Sequence, residues 1–306
     1  MMEEQAVPSR RQCGAPAAYY LAVEANPEFR DRQRDLENAT AQRMAFGTAA
    51  LAADGPITIP VVVHVVYNKR SENISKAQIN SQISVLNKDF RARNTDRAKV
   101  SAVWKGLVAD AKIQFALATE DPAGNTTTGV TRTKTSRTAF GVDDAVKSAA
   151  TGGVDAWPTD RYLNMWVCNL AGGLLGYAQF PGGPPETDGV VILNTAFGTR
   201  GTATAPFNLG RTATHEVGHF FNLYHIWGLY DDCTGGDRAS DTPNAAGPNY
   251  GEPTFPHVSC NNGPNGDMFM NYMDYVDDEA MFMFTPQQVA RMLTTLEGPR
   301  SALGRS

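Results

Sequence analysis

Cysteine, charge and unbroken apolar sequence are all scarce in these 306 residues. Four cysteines (Cys13, Cys168, Cys233, Cys260) are too few for a disulfide-built scaffold, although a single staple stays open. Charged residues make up 19%, below the usual quarter, and 27 basic against 32 acidic side chains leave a net charge of -5. Without a basic excess there is no electrostatic footprint for nucleic acid, so DNA and RNA are not expected partners. No apolar run approaches the roughly 18 residues of a membrane span. The longest, 57–67, is broken by Pro60 and His64, so no membrane partner is expected. The N-terminus, MMEEQAVPSRRQC, lacks the apolar core of a secretory signal. That leaves an intracellular chain, or one whose signal has been trimmed and a start Met added.

Small and turn-forming residues are plentiful. Gly (28) and Pro (18) together mark a folded protein with much ordered but irregular loop. Residues 1–43 are rich in Arg, Glu, Gln and Ala, with a helical stretch from Pro27 to Arg43 and few apolar anchors. The small, flexible run 44–56 reads as a linker, so 1–43 is either a removable prosegment or a mobile arm. ITIPVVVHVVY (57–67) reads as a buried strand. Ser75 opens a helix whose Ile79, Ile83, Leu86 and Phe90 share a face. Further strands are expected at 113–120, 129–135, 162–170 and 189–197, with a short helix near 142–149. This alternation implies a mixed sheet backed by helices. From about 226 to 284 the chain is Gly-, Pro-, Asn- and Asp-rich, a length of loop that is functional or externally braced. A last helix starts at Thr285-Pro286, with Thr as cap.

The chemistry concentrates in HEVGHFFNLYH (215–225). His215 and His219, four apart, project from one helix face and can hold one metal ion, with Glu216 beside them as a base. His225 would point away on a continuous helix, so the chain has to turn between His219 and His225. Asn222 stands at that place, and Asn tolerates the left-handed conformation that ends a helix. Three imidazoles can then hold zinc and leave one position open. His64 and His257 carry no such pattern and read as core and surface residues.

The signature resembles that of the metzincin metallopeptidases, with Asn222 in place of the usual Gly, and NYMDY (271–275) resembles their Met-containing turn. The stretches 163–182, GDRASDTP (236–243) and 273–288 resemble the pappalysin family, in particular its bacterial ulilysin-like and cytophagalysin-like members. That resemblance implies an α+β, metzincin-like fold: a mixed twisted sheet with a backing helix and the active-site helix above a cleft. Below the cleft it implies an irregular subdomain with the Met-turn and a C-terminal helix. The upper catalytic subdomain would span 57–225 and the lower one 226–306. Carried over, His215, His219 and His225 are zinc ligands, Glu216 is the general base, Tyr275 steadies the tetrahedral intermediate, and Met273 shapes the floor beneath the metal.

The same resemblance implies structural calcium at Asp237, Ser240 and Thr242, where the residues alone suggest only a hydrogen-bonded turn. It also implies a disulfide between Cys233 and Cys260, worth roughly 3–4 kcal/mol by loop closure, and with it an oxidising, extracytoplasmic setting. Cys168, inside an apolar strand, reads as a buried free thiol. Cys13 with Gly14 resembles a latency device in which a prosegment thiolate fills the open zinc position. Gly176, Tyr177 and Ala178 lie in an edge to which a peptide substrate can add as a strand. Asp277, Asp278 and Glu279 follow the Met-containing turn, where the resemblance implies the pocket for the residue after the scissile bond; with Glu279 as the candidate contact they suit a basic residue there, and calcium ligation or a solvated acidic turn are the alternatives. The expectation is a secreted, monomeric zinc endopeptidase acting on protein or peptide substrates. Its rival is a secreted binding or adhesion protein with a structural zinc site.

Overall fold

The computed structural model describes residues 8–46, 55–229 and 231–304, so parts of the expected 1–43 segment, of the 44–56 linker and of 226–306 lie outside the described residues. Strands and helices are numbered in chain order. The β-branched run Ile57–Tyr67 forms β1, buried in the middle of a six-stranded sheet. Such a run, apolar on both faces, is stable only when covered on both. One side of β1 pairs in succession with β2 (Ile113–Leu117) and β3 (Val130–Lys134), and the other with β4 (Leu163–Cys168). Pairing to β4 begins at Val61, so the missing N–H of Pro60 interrupts nothing on that side. Then come β6 (Val190–Leu193), still parallel, and β5 (Gly176–Ala178), the antiparallel edge. The sheet is mixed, as the sequence implies.

Strands are shorter than their apolar runs. The run 113–120 stops at Leu117, and 189–197 leaves the sheet at Asn194 in a 3-10 turn. The expected helix near 142–149 is instead two 3-10 turns, Ala145–Lys147 and Ala149–Thr151, the first entered through Asp144 at φ 58°.

Two helices precede β1: α1 (Ala15–Ala25), which the sequence reading misses, and α2 (Pro27–Phe46). Helix α3 (Lys76–Asp89), capped by Ser75 accepting from the Gln78 N–H, backs the sheet with Ile79, Val85 and Leu86. Its polar face positions α4 (Arg211–Phe220). Gln82 donates to Gly210 O, and Asp89 accepts from Thr214 Oγ1 at 2.7 Å and pairs with Arg211 at 2.9 Å. His64 is a core residue, its ring held by Thr131 and Asn164. The irregular region 226–284 is braced by the Cys233–Cys260 disulfide and ends at α5 (Pro286–Glu297), where Thr285 and Gln288 form a capping box. Cys168 is a buried free thiol.

Candidate active site

Helix α4 stops at Phe220, and Asn222 takes φ 69° while the Leu223 N–H reaches back to Gly218 O at 3.0 Å. This is the left-handed helix end that the sequence demands, with Asn where Gly is commoner. The turn carries His225 back beside the helix. The three imidazole Nε2 atoms lie 3.0 to 3.2 Å from one another. His215 Nδ1 donates to Tyr272 O and His219 Nδ1 to Leu223 O, both at 2.7 Å, which fixes the tautomer that leaves Nε2 with a lone pair. Burial holds all three rings neutral: His219 falls to about 4, and His215 and His225 fall further below their ordinary value. Converging lone pairs on neutral, buried rings repel unless a cation sits between them, so the donor set fits zinc. Among the described residues, the side chains that gather in this way are these three and Cys13, with ligand atoms all within 4.8 Å.

Glu216 is buried at the same centre, and burial pushes its carboxyl up to about 8. It packs directly under β5, where a Cβ at Gly176 would stand 2.8 Å from Glu216 Cγ. Only glycine permits that approach. Two residues along α4, on the opposite face, a Cβ at Gly218 would meet Met273 Sδ at 2.5 Å, so this glycine admits the Met-containing turn beneath the histidines. That turn is tied to α5 by Asn271 and Gln288, which exchange hydrogen bonds of 2.8 and 3.0 Å. Next to Met273, Asp274 accepts from the Asn249 and Tyr275 N–H groups, and burial raises it from 3.8 to about 7. The folded chain therefore holds this proton more tightly than the unfolded chain. The resulting stabilisation is complete below about pH 4 and lost as pH rises through about 7. We expect the melting temperature to fall between pH 5 and pH 8, and to fall less in Asp274→Asn. The same pH dependence in both proteins would contradict this.

The N-terminal segment lies across the site. Leu175 N–H donates to Gln12 O and Gly14 N–H to Gly176 O (2.9 and 2.8 Å), so Cys13 joins the β5 edge through one parallel bridge at Gly176. Of the expected edge residues Gly176, Tyr177 and Ala178, the bridge engages Gly176. The Cys13 thiol donates to Glu216 Oε2 at 3.4 Å, and the Tyr275 hydroxyl stands 3.5 Å from Cys13 O. The Tyr275 ring lies edge-on to His225, centroids 4.8 Å apart.

Arg11, which the sequence reading passes over, is buried with its Nη2 2.6 Å from Asp278 Oδ1. It also donates to Val276 O and Thr212 Oγ1, under the face of Phe207. The acidic residue that meets Arg11 is therefore Asp278. Glu279, the candidate from the sequence, is exposed, because the 3-10 turn Asp278–Ala280 sends neighbouring side chains to opposite sides. A second anchor lies further along. Glu37 of α2 pairs with Arg291 (2.6 Å) and Arg238 (3.1 Å) and accepts from the side chain of Asn222 (2.9 Å), the residue that turns the chain between the histidines.

Asp237, Ser240 and Thr242 share one loop. Thr242 Oγ1 donates to Asp237 Oδ1 at 2.6 Å, while exposed Ser240 pairs through its side chain with Gln287. Asp237 is buried, makes no ion pair among the described residues, and is pushed up to about 7 by that burial.

A family model, Peptidase_M43 (pregnancy-associated plasma protein-A), matches residues 148–297. An extracellular metalloprotease of Pyricularia oryzae is 34% identical over 297 residues, covering 94% of this chain and 89% of that protein. One of Arthroderma benhamiae is 32% identical over 292 residues, covering 93% and 89%. Among solved structures, a promirolysin mutant of Tannerella forsythia is 47% identical with a TM-score of 0.87, covering 95% of this chain and 96% of that one. Mature Tannerella forsythia mirolysin in complex with a cleaved peptide is 51% identical with a TM-score of 0.78, covering 81% and 97%.

Proposed function

The chain belongs to the pappalysin family of metallopeptidases (Peptidase_M43) and is a metalloendopeptidase; from that premise we propose that it is secreted as a latent zinc enzyme in which Glu216 is the general base and residues 1–43 are the blocking segment. The observation that carries this reading is the convergence of three neutral imidazoles beside a buried carboxylate, under a sheet edge able to take a strand. A zinc ion held by His215, His219 and His225 would supply an acidified water and polarise the scissile carbonyl. Glu216 takes the proton from the attacking water and delivers it to the leaving amine. The β5 edge aligns the peptide by main-chain hydrogen bonds. Tyr275, whose hydroxyl already lies near the carbonyl of Cys13, donates to the oxyanion. The decisive test is loss of peptide hydrolysis on removing Glu216 with the metal retained.

Secretion is supported by the relatives named extracellular metalloproteases and by the disulfide, which suits an oxidising compartment. Latency is supported by the proenzyme structure, which covers more of this chain than the mature one does. The cut that would free the segment falls within 43–56, largely outside the described residues.

Arg11 in the Asp278 pocket supports a preference for a basic residue after the scissile bond. Two charges this close, buried and hydrogen-bonded, discriminate strongly against neutral side chains. Asp278→Asn keeps the shape and removes the charge. Cleavage before Arg should fall by about 100-fold relative to cleavage before Leu, of the order that a buried ionic hydrogen bond provides. An unchanged cleavage profile would reject the pocket.

Calcium at Asp237, Ser240 and Thr242 is supported by a buried carboxylate that no cationic side chain pairs among the described residues. Millimolar calcium should raise the melting temperature of the natural protein and leave that of Asp237→Asn unmoved. Equal responses would exclude this loop as the site.

A further inference from the structure

On the far side of the histidines from the Asp278 pocket lies a second recess. Phe180, two residues beyond β5, places its ring 5.4 Å from that of His219 and 5.3 Å from that of Tyr224. Gly228 and Leu229 complete the wall, and Pro16 and Tyr19 of the N-terminal segment occupy it. Tyr19 meets Phe180 edge-on at 5.3 Å and is backed in turn by Phe29 at 5.5 Å. The packing is incomplete. A cavity of about 260 Å³ remains beside Tyr19, bounded by Phe29, Val142 and Phe180. The guanidinium groups of Arg238 and Arg291 lie over Tyr224 and pair with Glu37 while the segment is in place, and none of the described residues lining the recess itself is Asp, Glu, Lys or Arg.

Position along the cleft identifies what would fill this recess once the segment is gone. If the Asp278 pocket receives the residue after the scissile bond, then Phe180, across the metal centre, faces residues before it. We propose that Phe180, with Tyr224 and Leu229, forms a subsite selecting an aromatic or large aliphatic side chain within the three residues upstream of the scissile bond. The inference rests on the peptidase reading above. The N-terminal segment occupies both subsites at once, with Arg11 in the acidic one and Pro16 and Tyr19 in the apolar one. Phe180 is thus a specificity-determining residue for the known reaction. An apolar pocket of this kind separates substrates by tens-fold and not by thousands, because only buried area differs.

The test uses full-length, zinc-loaded protein activated in solution by limited proteolysis upstream of Ile57. It is given peptides with Arg fixed after the scissile bond and with Phe, Leu, Gly or Asp at each of the three preceding positions. At one of these positions Phe or Leu should be cleaved with about tenfold higher kcat/KM than Gly. Phe180→Ala should bring that ratio to within about twofold, and Phe180→Leu should keep part of it. The ratio compares two substrates on one enzyme, so a variant that folds poorly or binds less metal lowers both rates and leaves the ratio intact. Equal cleavage of Phe and Gly peptides at all three positions, or a ratio unmoved in Phe180→Ala, would overturn the subsite. Cleavage of no peptide at all would overturn the peptidase reading, and this inference with it.

Discussion

Glu216→Ala is expected to reduce peptide hydrolysis by about 10³-fold or more, near the upper part of what a positioned acid–base group contributes. Zinc content and melting temperature should stay close to those of the natural protein. The separation of effects follows from geometry. The three imidazoles take their orientation from Tyr272 O, Leu223 O and the Asn222 turn, none of which involves Glu216. Truncating Glu216 leaves space under Gly176, where glycine already removes the steric demand. A purely structural metal site would predict the reverse, since no function would be lost with that carboxylate. Hydrolysis measured on a quenched peptide, beside metal analysis and a thermal melt, decides between them.

Release of the N-terminal segment is expected to produce the largest gain in activity, about 100-fold or more over the intact chain. The segment is held at three places: Arg11 on Asp278, Cys13 at the histidines, and Glu37 on Arg291, Arg238 and Asn222. Breaking a buried ion pair by removing one partner costs about 3–5 kcal/mol, so Arg11 alone can keep the segment seated by about 150- to 4,500-fold. Cys13→Ala in the intact chain should therefore activate only partly. Arg11→Ala combined with Cys13→Ala should activate more than either alone, and adding Glu37→Gln more again. Intact and cleaved protein hydrolysing a short peptide at the same rate would exclude latency.

The convergence of the three histidines was legible in the sequence because its parts are local. A four-residue helical spacing, an Asn that tolerates positive φ and a third His just beyond it fix the arrangement within eleven residues. The Thr285 cap and the strand at 57–67 were legible for the same reason. What escaped depends on partners far along the chain. Arg11 meets Asp278 across 267 residues, and nothing in RRQCGAP distinguishes Arg11 from Arg10. The choice of Asp278 over Glu279 is set by one 3-10 turn, whose phase composition does not reveal. Helix α1 has little polar–apolar periodicity of its own and is steadied by packing against β5 and the rings of Phe29 and Phe180. Asn222 reads as a substitute for glycine at a turn, and its second role, donating to Glu37, appears only when α2 is docked.

The most direct measurement is zinc K-edge X-ray absorption on the intact, zinc-loaded chain. Three imidazole nitrogens and one sulfur around the metal are predicted, with the sulfur lost in Cys13→Ala. A spectrum with no sulfur in the intact protein, or with fewer than three imidazoles in either, would contradict the account.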